Sequence, residues 1–252
     1  MPEPTRDPVR PIPMKRLAAV AVLLVLVGCG SAESGSGDDA DDGATSPGTA
    51  MVGGCAEDAP EVEQATVLTE ADLDGDGSAE QVKLTAAGGE CGNLLFAQLG
   101  EGYVATKAPA DEPPVTGAFA IAPPGQEGQL LVTRADHPRG GYQLHVYAAD
   151  GEDLTELTVD DQPLVPFVAT DVQEHPFSID CSDDGFVFTD AVAHEPVGIV
   201  ATWDVQETTY TVDGTSVTAG APKEIADNVM SDQLGASYPE LARHAAFASC
   251  RA

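Results

Sequence analysis

The chain alternates short runs of Thr, Val and other apolar residues with turns that contain Gly, Pro and Asp. An alternation with a period of two residues gives each run one apolar side, which is typical of β-strands. Two dipeptides, Asp150-Gly151 and Asp213-Gly214, have the composition of tight hairpin turns. The predicted strands are Glu80 to Thr85, Leu94 to Leu99, Tyr103 to Lys107, Gln129 to Arg134, Tyr142 to Tyr147, Leu154 to Val159, Phe186 to Thr189, Ile199 to Val205 and Thr209 to Val212.

This strand pattern recurs at a spacing of about 50 residues. Val82, Leu131 and Val187 each lie in a run that follows a Gly- or Asp-bearing turn, and a second hairpin follows each run. The recurrence predicts about three four-stranded antiparallel units that resemble the blades of a propeller. Three blades are too few to close an ordinary propeller, so an open array or a sandwich is the alternative. A simple meander of hairpins would also show some periodicity.

The pattern changes near residue 222. Pro222 to Leu234 places Ile225 and Val229 on one face of a helix. Ser237-Tyr-Pro-Glu240 has the spacing of a capping box and predicts a second helix through Leu241 to Phe247. The predicted fold class is therefore all-β with a short helical C-terminus.

The N-terminal pattern is different again. Lys15 and Arg16 precede an uninterrupted apolar run from Leu17 to Val27. This run is shorter than the roughly 20 residues that cross a bilayer, and its flanking charges are typical of a secretory signal peptide. Met14 stands directly before the charges and is predicted to be the true start of translation.

Leu26-Val27-Gly28-Cys29 resembles the lipobox of bacterial lipoproteins. The resemblance implies cleavage before Cys29, acylation of its thiol with a chain such as palmitate, and usually acylation of the new amino terminus. Several acyl chains give a stable anchor that one chain does not. The chain is thus expected at the cell membrane, lipid-anchored on the extracytoplasmic face. The alternative is an ordinary cleaved signal followed by a coincidental cysteine.

Composition sets the expected domain boundaries. Residues 1–28 form the signal peptide, and residues 29–54 form the lipidated cysteine and a flexible acidic tether. The tether is predicted because residues 30–49 contain almost no large apolar side chains and cannot offset the entropy of ordering. Residues 55–252 form the β-repeat domain, with C-terminal helices from about residue 222, and are numerous enough for a sizeable core.

The chain is strongly acidic. Its 252 residues include 11 Lys and Arg against 42 Asp and Glu, a formal net charge of −31. This balance excludes the basic footprint of a nucleic-acid-binding protein. It also disfavours adhesion to anionic lipids or polymers unless cations form a bridge. A highly soluble surface that implies no partner accounts for most of the acids.

Five cysteines are consistent with export. With Cys29 assigned to lipid, an even set of four remains in an oxidising compartment, which predicts two disulfides. Four cysteines allow three connectivities, and the pairs Cys55–Cys91 and Cys181–Cys250 are favoured because each brackets one local unit. A zinc site is the alternative, but no close Cys-x-x-Cys pair is present.

The sharpest chemical motif is the acidic run from residue 72 to residue 80. Alternate acids place oxygens on one side of a tight loop, and the glycines let the backbone wrap a cation such as Ca²⁺, which takes six to eight oxygen ligands. An EF-hand is rejected because Lys83 stands where position twelve requires Glu. The predicted ligands are the side chains of Asp72, Asp74, Asp76 and Glu80 and the backbone carbonyl of Ser78. The alternative is an acidic turn in an acidic protein.

The loop and the strand after it resemble FG-GAP and VCBS-type repeats, in which an Asp-x-Asp-Gly-Asp-Gly loop joins two strands of a propeller blade and binds calcium. The resemblance covers residues 71–84, with Glu80 in place of the more usual Asp, and the other two units lack the motif. It implies structural calcium and a binding surface rather than catalysis.

Other catalytic signals are weak. A cluster of loop histidines is conceivable, but no zinc-protease, nucleophile-elbow or phosphate-loop motif occurs. Arg134 and Arg139 could bind an anionic ligand, although pairing with neighbouring acids is favoured.

The expected function is a non-enzymatic binding or scaffolding lipoprotein of the cell envelope, with an unknown envelope ligand or protein as partner. The alternative is an envelope hydrolase with a loop-assembled site of His and acids. A solute-binding protein fits poorly because βαβ alternation is missing.

Overall fold

The computed structural model describes residues 50–108, 113–168, 176–193 and 202–251. The predicted signal peptide, Cys29 and the tether up to residue 49 lie outside the described residues. His175, His194 and residues 199–201 of one predicted strand also lie outside them. Every structural statement below concerns the described residues.

The described chain is mostly β-structure, which confirms the all-β class. Three short helices accompany the strands: α1 (Pro60–Glu63), α2 (Ser231–Ser237) and α3 (Pro239–Ala242). No described helix is long and apolar enough to span a membrane. The strands are β1 (Met51–Val52), β2 (Cys55–Ala56), β3 (Thr66–Ala71), β4 (Glu80–Leu84), β5 (Leu94–Leu99), β6 (Gly102–Lys107), β7 (Val115–Ile121), β8 (Leu130–Asp136), β9 (Tyr142–Asp150), β10 (Asp153–Glu156), β11 (Thr158–Val159), β12 (Gln162–Pro163), β13 (Phe177–Ser182), β14 (Gly185–Ala193), β15 (Thr202–Asp213), β16 (Ser216–Ala219) and β17 (Lys223–Met230).

Eight strands form a nearly closed, barrel-like sheet in the order β3-β4-β5-β6-β10-β9-β8-β7. Neighbours are antiparallel except β6 and β10, which pair in parallel at Ala105 and Asp153. The end strands β3 and β7 lie beside each other. Alternate residues of these strands, including Val82, Leu95 and Leu131, are buried together in one apolar cluster. The chain neighbours of Leu95 and Leu131 lie in other apolar clusters, so β5 and β8 are buried on both faces.

A second sheet has the order β13-β14-β15-β16, and β17 pairs with the first half of β15. Phe177, Phe186 and Val212 of this sheet pack against Val132 and Leu144 of β8 and β9 in the largest apolar cluster. Burial of such side chains contributes roughly 1.5–3 kcal/mol each. The contact between the two sheets is therefore the main core of the described chain.

Two disulfides join the favoured cysteine pairs. Cys55 and Cys91 have Cα atoms 5.9 Å apart, and Cys181 and Cys250 have Cα atoms 5.7 Å apart. The first ties the short N-terminal elements to the connection between β4 and β5. The second ties the last residues of the chain to β13. Both predicted pairings are confirmed.

The prediction of three four-stranded blades is wrong. The units marked by Val82 and Leu131 lie in β4 and β8 of one sheet, and only the unit marked by Val187 lies in the second sheet. The marked runs look alike because β4–β5, β8–β9 and β14–β15 are each adjacent antiparallel pairs. The sequence pattern of such a pair predicts its two strands, but it does not predict which sheet the pair belongs to.

The helix predicted from Pro222 to Leu234 is also wrong over most of its length. Lys223–Met230 is strand β17, and helix α2 starts only at Ser231. The free edge of β15 supplies backbone partners for these residues, and this tertiary pairing outweighs the weak helical spacing of two apolar side chains. The capping box does not form either, because Tyr238 is the N-cap of α3 and no side chain caps that helix.

Candidate functional site

The acidic loop connects β3 to β4, two adjacent strands that pair at Ala71 and Glu80. It reverses the chain with Gly75 and Gly77, whose φ angles are 75° and 90°. L-residues with side chains rarely adopt this left-handed region, whereas glycine adopts it freely. The loop thus joins two adjacent antiparallel strands as a hairpin turn.

Three predicted ligands converge in this loop. Oxygen atoms of Asp72, Asp74 and Glu80 all lie within 4.8 Å of one another. Oxygens that bind one Ca²⁺ at about 2.4 Å lie at most about 5 Å apart. The three carboxylates therefore have the spacing of ligands to a single divalent cation.

Backbone hydrogen bonds hold these carboxylates in position. Gly77 N donates to Asp72 Oδ2 over 3.1 Å, Asp76 N donates to Asp74 Oδ1 over 3.1 Å, and Leu73 N donates to Glu80 Oε2 over 3.0 Å. The other oxygen of Asp72, Oδ1, is buried and has no hydrogen-bond partner among the described residues. A buried carboxylate oxygen without a partner is costly, and a bound cation would remove that cost.

The pKa of Glu80 is raised above its ordinary value. Burial is the largest cause, and repulsion from Asp74, Asp76 and Asp72 adds to it, whereas the hydrogen bond from Leu73 acts in the opposite direction. The same repulsion that disfavours a fourth negative charge here favours a positive ion between the carboxylates.

Asp76, a fourth predicted carboxylate ligand, is not part of this group. Asp76 Oδ1 accepts a hydrogen bond of 2.7 Å from Ser78 N and turns the exposed tip of the loop. The backbone carbonyl of Ser78 stays a prediction. Among the described residues, the sequence thus placed five ligands where the structure groups three carboxylates.

The support for the loop comes from residues that sequence reasoning missed. Asp72 N donates to Gln129 Oε1 over 2.9 Å, and Gln129 N donates to the Asp72 carbonyl over 2.7 Å. A Cβ at Gly75 would lie only 1.9 Å from the carbonyl oxygen of Glu127. The backbone of the connection between β7 and β8 therefore packs against the acidic loop and supports it. The available signal was its Gly-rich turn, Gly125 to Gly128, at the equivalent place in the recurring pattern.

A groove of about 570 Å³ runs beside the acidic loop. It lies between that loop, the β7–β8 connection and the β15–β16 turn, where Gln126 Nε2 donates to the Val212 carbonyl over 3.2 Å. Asp74, Glu127 and Asp213 are among its lining residues. The groove is acidic and open, so it suits a cationic or polar partner better than an anion.

The three described histidines lie in different surroundings. His137 is in the turn between β8 and β9, where its ring contacts Phe167 edge to face. His145 on β9 is 2% exposed, and its Nδ1 lies 2.8 Å from Glu156 Oε1. His244 follows α3 and contacts the ring of Phe177. They do not come together in one pocket.

Arg134 pairs with Asp136, as the sequence favoured. Its Nη2 lies 2.7 Å from Asp136 Oδ1, and its guanidinium carbon lies 3.9 Å from the centre of the Tyr142 ring. Both side chains of the ion pair are about half exposed, so the pair contributes little to stability.

No protein-family model matches the chain, and neither a curated protein nor a solved structure matches it. The geometry of the described residues is therefore the basis for the functional proposal.

Proposed function

We propose that the chain is a lipid-anchored lipoprotein of the cell envelope, a non-enzymatic binding or scaffolding module stabilised by one calcium ion. Two observations carry the calcium part: the convergence of Asp72, Asp74 and Glu80, and the buried Asp72 Oδ1, which has no hydrogen-bond partner among the described residues. The lipid anchor rests on the N-terminal pattern that ends at Cys29.

Calcium would act by joining two strands at the end of their hairpin where the acidic loop connects them. Its ligands Asp72 and Glu80 lie at the end of β3 and the start of β4, so a bound ion would hold the two strand ends together. Anything that binds only the folded state stabilises it, by about 2.7 kcal/mol when the free ion is 100 times its Kd. An extracytoplasmic compartment is a setting in which a modest site can fill.

The arrangement of the described histidines favours a binding role over the alternative of a hydrolase. General acid–base catalysis needs the acid and base within reach of one substrate. His145 and Glu156 form a close pair, but His145 is buried on a barrel strand, and His137 lies elsewhere in a turn.

The calcium proposal is tested by thermal unfolding with calcium and with a chelator. The wild type should melt at a higher temperature with calcium, and Asp74→Asn should lose most of that difference. Asn keeps the oxygen that accepts from Asp76 N, so this variant removes charge without removing the turn. Asp76→Asn is the matched control, since Asp76 lies outside the converging group, and it should retain most of the calcium effect. A wild type that melts identically in both conditions would refute the calcium site.

The anchor is tested separately by fractionation and mass spectrometry. The wild type should be in the membrane fraction with an acylated N-terminal Cys29, and Cys29→Ser should be released. An unmodified mature N-terminus at another residue would refute the anchor and leave the calcium test unaffected.

A further inference from the structure

A second cavity, of about 360 Å³, lies between the outer face of β7–β9 and the C-terminal segment from His244 to Arg251. Its size falls at the lower end of the range for small-molecule sites. It shares no lining residue with the groove beside the acidic loop. We call it the arginine pocket, because Arg134 and Arg251 both line it.

Two arginines in one pocket are unusual for this chain. After the predicted signal peptide, the basic residues are Lys83, Lys107, Arg134, Arg139, Lys223, Arg243 and Arg251. Two of these seven line one cavity in a protein whose net charge is −31. In such an excess of acids, an exposed arginine would ordinarily pair with a carboxylate.

Arg251 does not follow that expectation among the described residues. No described carboxylate forms an ion pair with it, and its guanidinium carbon instead lies 4.3 Å from the centre of the Phe119 ring. A guanidinium that lies over a ring face can still donate two N–H groups to a planar oxyanion. Arg251 thus has donors available for a ligand.

Asp136 engages only some of the N–H donors of Arg134. Its Nε donates to Asp136 Oδ1 over 2.8 Å, and Nη2 contacts the same oxygen. Nη1 has no acceptor among the described residues. Asp136 also accepts a hydrogen bond of 2.7 Å from Thr116, and these bonds from Thr116 and Arg134 lower its pKa, so it stays ionised at neutral pH. The Arg134–Asp136 pair is therefore close to neutral, and Arg251 gives the pocket its positive charge.

The position of Arg251 is fixed by the fold. Its backbone forms an antiparallel bridge with Ile121 of β7, and Ala122 N donates to the Cys250 carbonyl over 3.0 Å. The disulfide from Cys250 to Cys181 then holds the same segment to β13. Preorganisation of this kind lowers the entropy that a ligand must overcome.

We propose that the arginine pocket binds a small organic oxyanion, a carboxylate or phosphate on a flat apolar body. The oxyanion would bind the guanidinium groups of Arg251 and Arg134. The apolar body would pack on Phe119, Leu144 and Ala246, which line the same cavity. This site goes beyond the calcium-stabilised module proposed above and uses none of the acidic-loop residues.

Gly117 lines the pocket and provides a direct way to fill it. A Cβ at Gly117 would meet no heavy atom within 4 Å, and its φ is not in the left-handed region. Gly117→Leu therefore places a side chain in open pocket space without backbone strain. Arg251→Gln removes the stacked charge, and Arg139→Gln removes an equal charge from a turn residue that does not line the pocket.

The experiment is isothermal titration of the mature chain with 2-naphthoate and with its neutral analogue 2-naphthamide. We expect saturable binding of 2-naphthoate, a loss of about tenfold in affinity for Arg251→Gln and for the neutral analogue, and no change for Arg139→Gln. Gly117→Leu should abolish binding while retaining the wild-type circular dichroism spectrum.

Three results would overturn the proposal. They are no saturable binding of 2-naphthoate, equal binding of 2-naphthamide, or equal losses for Arg251→Gln and Arg139→Gln. Calcium-dependent melting is measured on the same samples, so failure of the arginine pocket is distinguishable from failure of the calcium site.

Discussion

The acidic loop and the arginine pocket differ in how their charges come together. In the acidic loop, Asp72, Asp74 and Glu80 lie within one turn of chain and converge because two glycines reverse the backbone. In the arginine pocket, Arg134 and Arg251 come from a barrel strand and the C-terminal segment and meet only through tertiary structure. A contiguous charge cluster is visible in a sequence, whereas a cluster assembled by the fold is not.

Removal of the two disulfides in turn should produce the largest effects and separate the two regions. Cys181→Ala with Cys250→Ala opens a separation of 69 residues, and Cys55→Ala with Cys91→Ala opens one of 36. Each double variant should lose about 4 kcal/mol of unfolding free energy through the entropy of the unfolded chain. Only the first should also weaken 2-naphthoate binding, because only Cys250 holds the segment that carries Arg251.

Urea unfolding with parallel titrations measures both consequences. Equal weakening of 2-naphthoate binding in the two double variants would contradict the assignment of the C-terminal segment to the pocket.

Gly75→Ala should have the next largest effect, confined to the acidic loop. The new Cβ would overlap the Glu127 carbonyl, which cannot move without disturbing the β7–β8 connection. Gly77→Ala is the matched control, since its φ is also positive but a Cβ there meets nothing within 4 Å. We expect a loss of about 3 kcal/mol at Gly75 against about 1 kcal/mol at Gly77.

The calcium-dependent shift in melting temperature should fall more for Gly75→Ala than for Gly77→Ala. The same loss of stability at both glycines would mean that the backbone contact with Glu127 does not support the loop.

Asp136→Asn should have the smallest effect. The Arg134–Asp136 pair is exposed, so the melting temperature should change little. Removal of the competing carboxylate should nevertheless tighten 2-naphthoate binding by about twofold, because the charge of Arg134 is no longer neutralised by Asp136. Weaker binding in this variant would show that Asp136 orients Arg134 for the ligand rather than competing with it.

Local features of this chain were predictable from sequence. The short apolar run Leu94–Leu99 is a strand with the predicted bounds, and the turns at Gly151 and Gly214 close hairpins as expected. These predictions succeed because short apolar runs and turn chemistry act over a few residues. The acidic loop was found for the same reason.

Long-range pairing was not predictable in the same way. Strand β3 contains the polar residues Thr66, Thr69 and Glu70, which hide its alternation. Strand β17 forms because the edge of β15 is available for pairing. No local pattern in residues 223–230 predicts this pairing. Gln129 and Gly117 likewise acquire their roles only from neighbours distant in the chain.

The most direct test of the central claim is an amide NMR titration of the ¹⁵N-labelled mature chain, first with calcium and then with 2-naphthoate. Calcium should shift the amide signals of Leu73, Asp76 and Gly77, whose N–H groups donate to the converging carboxylates. The 2-naphthoate should then shift signals of Gly117 and Ala246 and leave the first set unchanged. Saturable shifts in these two separate sets are the predicted result. Unchanged loop signals at millimolar calcium, or one set of signals that responds to both ligands, would contradict the account.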